Sequence, residues 1–122
     1  MVGIDLIEIE RLERALERRP ALADRIFSEA ELAFARARAH PAQHLATRFA
    51  AKEAALKALG LGGLRLHEVE VVGGGDEAPR LALHGRAAAV AAERALALEV
   101  SLTHAREVAG AVVIARPTPE IA

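Results

Sequence analysis

Helical patterns fill the first half of this 122-residue chain and strand patterns the second. That segregation predicts an α+β fold, with a small, mostly antiparallel sheet packed with helices. Apolar residues recur at intervals of three and four up to Leu59. After Gly63 the dominant interval is two. Strands and helices do not alternate in the manner of a wound parallel sheet.

The elements follow in order. Val2-Gly-Ile-Asp-Leu-Ile7 alternates weakly, so Val2, Ile4 and Leu6 share one face of a first strand and Gly3 and Asp5 the other. A helix starts near Glu8, with Ile9, Leu12 and Leu16 as its apolar stripe. It ends near Arg19, because the residue before Pro20 leaves the helical region. Ser28-Glu-Ala-Glu31 has the form of a capping box and opens a second helix to about Ala39. His40-Pro41 breaks it. A third helix covers roughly Gln43 to Leu59 and stops at Gly60. Leu66-His-Glu-Val-Glu-Val-Val72 and Arg80-Leu-Ala-Leu-His84 read as a hairpin joined by a glycine-rich connection. Gly85 to about Ala97 is an alanine-rich helix, and residues 98–103 and 110–115 are two final strands around His104-Ala-Arg-Glu-Val-Ala109. Residues 1–116 are expected to form one domain. Pro117 and Pro119 mark a tail over 117–122.

Composition removes several function classes. The net charge is −1, so no global basic field awaits nucleic acid. Three phenylalanines and no tyrosine or tryptophan make a poor platform for stacking bases. Cysteine is absent, which removes disulfides and thiolate metal sites. The N-terminal segment is acidic and has no long apolar run, so neither a signal peptide nor a membrane span is expected, and the expected location is cytoplasmic.

Against this background Arg48-Phe-Ala-Ala-Lys-Glu-Ala-Ala-Leu-Lys-Ala-Leu-Gly60 stands out. It holds the chain's two lysines, among 16 basic residues. At about 100° per residue, Leu45, Phe49, Leu56 and Leu59 define an apolar stripe and Lys52 falls inside it. A charge there is costly unless it is paired or meets a ligand. Lys52 can snorkel, pair with a buried carboxylate from elsewhere, or meet an anion. Glu53 and Lys57 form an i,i+4 pair in the favoured order. The functional alternative is a helix presenting Arg48, Lys52 and Lys57 to phosphates and Glu53 to a cation, as suits Mg²⁺ chemistry. Asp5, at a strand end, either caps the following helix or joins Glu53 at a metal.

The segments V-G-I-D-L-I-E-I-E-R-L, R-F-A-A-K-E-A-A-L-K-A-L-G and V-S-L-T-H closely resemble, in this order, the bacterial holo-[acyl-carrier-protein] synthases, which are small 4′-phosphopantetheinyl transferases. The resemblance implies transfer of 4′-phosphopantetheine from coenzyme A to a serine of apo-acyl carrier protein. It implies Mg²⁺, release of adenosine 3′,5′-bisphosphate, and a homotrimer with sites at subunit interfaces. Carried onto this chain, Asp5 and Glu53 are the expected Mg²⁺ ligands. Arg48, Lys52 and Lys57 are the expected contacts to coenzyme A phosphates, with Gly60 and, across a subunit boundary, His104. Glu53 and Lys57 are the expected catalytic pair. The serine's base is left open between Glu53 and a metal-bound water. Leu61-Gly-Gly63 departs from the family's common Gly-Thr-Gly, and the chain starts with fewer residues before Gly3 than most relatives.

The first helix carries Arg11, Arg14 and Arg18 at spacings of three and four, a basic stripe that Arg25 extends. It is either a solvated, salt-bridged face or a docking surface for an acidic carrier protein. His40, His44, His67 and His84 receive no role. The competing reading is a non-catalytic trimeric module that binds a phosphorylated ligand. Carboxylates beside the phosphate site argue against it.

Overall fold

The structure, a computed structural model, describes residues 1–119 apart from the Leu64 side chain. A three-stranded antiparallel sheet has the order β1-β5-β4, from β1 (Val2–Glu8), β5 (Val108–Pro117) and β4 (Leu96–Ala105). A separate hairpin pairs β2 (Val69–Gly74) with β3 (Glu77–Leu83). Helices α1 (Ile9–Arg18), α2 (Ala21–Ile26), α3 (Glu29–Arg36), α4 (Pro41–Leu59) and α5 (Gly85–Glu93) complete the fold.

The long helix α4 is the hub. Against the sequence expectation it is not amphipathic. It packs on all three strands of the larger sheet and also touches β2, α1, α3 and α5. Six alanines between positions 46 and 58 are fully buried, so neighbouring elements approach its backbone closely. Gly3 shows how closely: a β-carbon there would lie 1.8 Å from the Ala54 carbonyl oxygen. From His44 to Leu59 the side chains not fully buried are His44, Leu45, Phe49, Glu53 and Lys57. The last four are spaced by four and form one narrow open seam.

Lys52 faces away from that seam. Its Nζ lies 2.7 Å from Glu31 Oε1 in a pair with almost no solvent exposure. It also donates to the carbonyls of Val69 and, at 3.4 Å, Leu66. Glu31 completes the predicted capping box: its carboxylate accepts from the Ser28 amide and Ser28 Oγ accepts from the Glu31 amide. Its second oxygen accepts from the Val71 amide at 2.9 Å. One carboxylate thus ties α3, α4 and β2 together. Of the alternatives open for Lys52, the structure selects the buried carboxylate partner.

Several boundaries depart from the sequence reading. Proline 41 begins α4 rather than merely ending its predecessor, because proline suits the first helical turn. Helix α2 was not anticipated; Pro20 precedes it, and Leu22 and Ile26 give it a four-residue apolar spacing. Residues 63–68 form a 3₁₀ turn, so β2 starts only at Val69. Helix α5 ends at Glu93 because Ala95 turns the chain at φ 52° into β4. Pro117 closes β5 and the Thr118 amide donates to Ala95, while residues 120–122 of the expected tail lie outside the described residues.

Strand β1 keeps its predicted alternation, and the structure shows which face this chain covers. Gly3, Asp5 and Ile7 turn toward α4, while Val2, Ile4 and Leu6 are 63–68% exposed. The register puts Val2 beside Ile114 and Ile4 beside Val112, so the open face continues across β5.

Two stability outcomes follow. Lys52→Met strands the Glu31 carboxylate in the core and should cost about 3–5 kcal/mol in urea unfolding, with the Glu31→Gln, Lys52→Met double variant recovering part of it. Gly3→Ala should cost roughly 3 kcal/mol or more in the same measurement, because its new methyl meets helix backbone.

Candidate active site

The seam of α4 and the inner face of β1 converge on one groove. It holds about 700 Å³ and has a mixed lining. Asp5, Glu8, Arg11, Glu53 and Lys57 supply its charged groups. Its apolar lining includes Ile7, Leu12, Leu16, Leu22, Ile26 and Phe49.

The Lys57 ammonium lies 3.2 Å from Asp5 Oδ1 and donates to the Ile4 carbonyl at 3.0 Å. Glu53 sits one turn before Lys57. Burial pushes its carboxyl above the ordinary value, the nearby Asp5 charge adds to the rise, and Lys57 partly offsets it. Two carboxylates near enough to repel are a donor set that a divalent cation relieves. Mg²⁺ commonly takes one or two carboxylates, leaving waters and phosphate oxygens to complete its octahedron. Among the described residues no cluster of three or more His, Cys, Asp or Glu side chains forms a complete metal cage. The pair therefore fits a cation shared with a phosphate ligand. Gly63 borders the site: a β-carbon there would stand 3.5 Å from the Glu53 carboxylate. The departing Leu61 packs on the core, and Gly60 caps α4 at φ 70° as its sequence position predicts.

The remaining expected residues divide. Lys52 does not reach the groove, and its expected role as a phosphate contact is corrected. Its ammonium has three protein acceptors and 1% exposure. Arg48 is also buried and points to the hairpin tip rather than to the carboxylates. Its Nη2 donates to the Gly73 carbonyl at 2.6 Å and its Cζ stacks 3.7 Å from the Phe34 ring centre. Arg38 stacks on the same ring at 3.3 Å, and Arg48 Nε is buried with no hydrogen-bond partner. His104 receives a hydrogen bond from Gln43 near the start of α4 (2.9 Å). Gln43 and Lys57 are fourteen positions apart, on the order of 20 Å along the helix axis. A second cationic region therefore gathers at the far end of α4. His44 feels it: burial holds its pKa below the ordinary value, and Arg38, Arg48, His104 and His40 depress it further.

Sequence reasoning missed Phe34, Arg38 and the apolar lining from α2. The i,i+4 spacing of Phe34 and Arg38 was the available signal. On α1, Arg11, Arg14 and Arg18 are exposed as expected, with Arg14 paired to Glu10 at 2.5 Å, and Arg25 is exposed on α2.

The raised pKa of Glu53 makes a signed prediction. Folding favours its protonated form, so the carboxyl costs no stability well below the ordinary glutamate range. The cost builds up as pH rises from the ordinary, unfolded-state value to the higher folded-state value, and it persists in full above that. Without divalent cations, Glu53→Gln should melt above the parent at pH 7, and the difference should close below about pH 4. Thermal melts across pH measure this directly.

Known proteins resemble this chain along most of its length. The family model for the 4′-phosphopantetheinyl transferase superfamily matches residues 1–113. The chain is 50% identical over 116 residues to a holo-[acyl-carrier-protein] synthase of Streptomyces griseus, spanning 93% of this chain and 95% of the relative. It is 45% identical over 115 residues to the same-named protein of Moorella thermoacetica, spanning 92% and 90%. Among solved structures, the Helicobacter pylori holo-[acyl-carrier-protein] synthase in complex with coenzyme A superposes with a TM-score of 0.77 at 26% identity, covering 95% of this chain and all of that one. The carboxylate pair, the lysine beside it, the fold and the relatives lead to one assignment: this chain belongs to the 4′-phosphopantetheinyl transferase superfamily.

Proposed function

We propose that the chain is a Mg²⁺-dependent holo-[acyl-carrier-protein] synthase, moving 4′-phosphopantetheine from coenzyme A to a serine of apo-acyl carrier protein in support of fatty acid biosynthesis. The observation that carries this reading is the convergence of Asp5, Glu53 and Lys57 on one groove that also has a broad apolar lining. Asp5 and Glu53 would hold Mg²⁺, which when bound neutralises pyrophosphate oxygens and the departing adenosine 3′,5′-bisphosphate. Lys57 would contact the same oxygens, so the chain's own share of the work is positioning and charge neutralisation. The serine oxygen bonds to the β-phosphorus as the bond from that phosphorus to the bridging oxygen breaks, adenosine 3′,5′-bisphosphate leaves with that oxygen, and the serine proton passes to Glu53 or to water.

Contacts to the rest of coenzyme A are assigned to Gly60, Arg48 and His104. The cationic end of α4 supports the last two. Arg48 points to the Gly73 carbonyl at the hairpin tip, and His104 bonds Gln43 ten positions before Glu53, so we assign their contacts to the active site of a neighbouring copy. The open apolar face of Val2, Ile4, Leu6, Val112 and Ile114 supports self-association, and we propose the homotrimer. The exposed arginines 11, 14, 18 and 25 are proposed to dock the acidic carrier protein beside the groove. No described helix is long and apolar enough to cross a membrane, and we place the activity in the cytoplasm.

Mass spectrometry of apo-acyl carrier protein incubated with coenzyme A and Mg²⁺ tests the activity; absence of the phosphopantetheine mass increment rejects it. Glu53→Gln should lower the transfer rate by roughly a hundredfold or more, the usual scale for losing an electrostatic catalytic group. Arg14→Ala should raise the KM for the carrier protein several-fold at low salt and much less at high salt, because screening removes the parent's steering advantage. Identical salt profiles in the two proteins would remove Arg14 from the docking surface.

A further inference from the structure

We propose that Lys57 is a built-in counter-ion of the Asp5–Glu53 pair, one that occupies Asp5 while no divalent cation is bound and sets the cation's affinity by competing with it. The inference rests on the reading that this pair holds a divalent cation.

The contacts of Lys57 are the basis of the inference. Lys57 Nζ bonds to the Asp5 carboxylate at 3.2 Å and to the preceding carbonyl, Ile4, at 3.0 Å. The same ammonium therefore grips the side chain and the backbone of neighbouring β1 residues. Among the described residues Asp5 makes no other ion pair, and Glu53 makes none. Lys57 is thus, among the described residues, the cation paired to Asp5, and its charge also offsets the repulsion that Asp5 exerts on Glu53. The Lys57 side chain is 55% exposed and that of Asp5 18% exposed. Water is available to the ammonium when it lets go, so its release is cheap, whereas the carboxylate has little other solvation. A divalent ion arriving at Asp5 meets a resident positive charge, and displacing that charge frees Lys57 for a phosphate oxygen. The contact also gives Asp5 a fixed position before any cation arrives.

This role differs from that of a lysine serving phosphate alone, whose removal leaves cation affinity unchanged when no coenzyme A is present. The test is Mn²⁺ binding followed by electron paramagnetic resonance, at low ionic strength and without coenzyme A, on the full chain. Removing one positive charge beside a divalent ion should tighten binding on the order of tenfold even at the dielectric constant of water. Lys57→Gln should therefore bind Mn²⁺ about tenfold more tightly than the parent, and Lys57→Arg within about twofold of it. Asp5→Asn should weaken binding in both the parent and the Lys57→Gln background. Equal or weaker affinity in Lys57→Gln overturns the counter-ion role while leaving the metal site intact. Equal tightening by Lys57→Arg overturns it as well, because charge is then not the cause. If no variant binds Mn²⁺, or if Asp5→Asn has no effect, the carboxylate site falls and the inference falls with it.

Discussion

The buried pair of Glu31 and Lys52 is the contact on which the arrangement of elements depends. Two opposite charges in the interior carry a large desolvation cost, and only full satisfaction of their donors and acceptors makes that cost tolerable. Here the satisfaction is complete enough to dictate geometry. Lys52 supplies three bonds to Glu31, Leu66 and Val69. Glu31 receives from Lys52, the Ser28 amide and the Val71 amide. These partners belong to α3 with its cap, α4, the 3₁₀ turn and β2. Moving any one of them leaves a polar group unsatisfied in the core, so the pair fixes relative placement more than it adds net stability. A tetrahedral ammonium can reach three acceptors in such a cage, and a planar guanidinium cannot. In a chain with 14 arginines and two lysines, that geometry is a physical reason for lysine at 52.

The same helix lines the groove on its opposite side. Its buried alanines admit strands and helices all around, leaving one seam with a spacing of four. Leu45 and Phe49 give the seam an apolar stretch, and Glu53 and Lys57 give it a charged one. Because Gly3 lets β1 lie against the helix backbone, Asp5 arrives within reach of Lys57. The groove thus follows from two small-residue choices, alanine along α4 and glycine at position 3, as much as from the charged groups themselves.

Much of this was legible in the sequence wherever the determinant is local. The Ser28–Glu31 capping box, the Gly60 stop and the β2–β3 hairpin each depend on a few adjacent residues. The pairing of Asp5 with the Glu53–Lys57 turn was anticipated as a possibility of the fold, and the resemblance to known transferases sharpened it. What escaped was non-local. Alternation in β1 shows which residues share a face, but not which face its own chain covers. Periodicity on α4 assumes a single core on one side, and therefore misplaced Lys52, whose partner lies 21 positions earlier. The stacking of Arg38 and Arg48 on Phe34 likewise requires α3 and α4 to be packed before it can be seen.

Strand β1 is an edge strand with a different task on each side. One face carries Asp5 into the groove, and the other leaves Val2, Ile4 and Leu6 open to solvent. Anything that covers the open side stabilises the strand that positions Asp5, and by mass action the reverse holds too. Under the proposed trimer and cation site, occupancy at the carboxylates and occupancy of the apolar face would be linked functions, joined through a single run of backbone about seven residues long. Protomer concentration would then act as a thermodynamic variable of the site, alongside pH and cation activity.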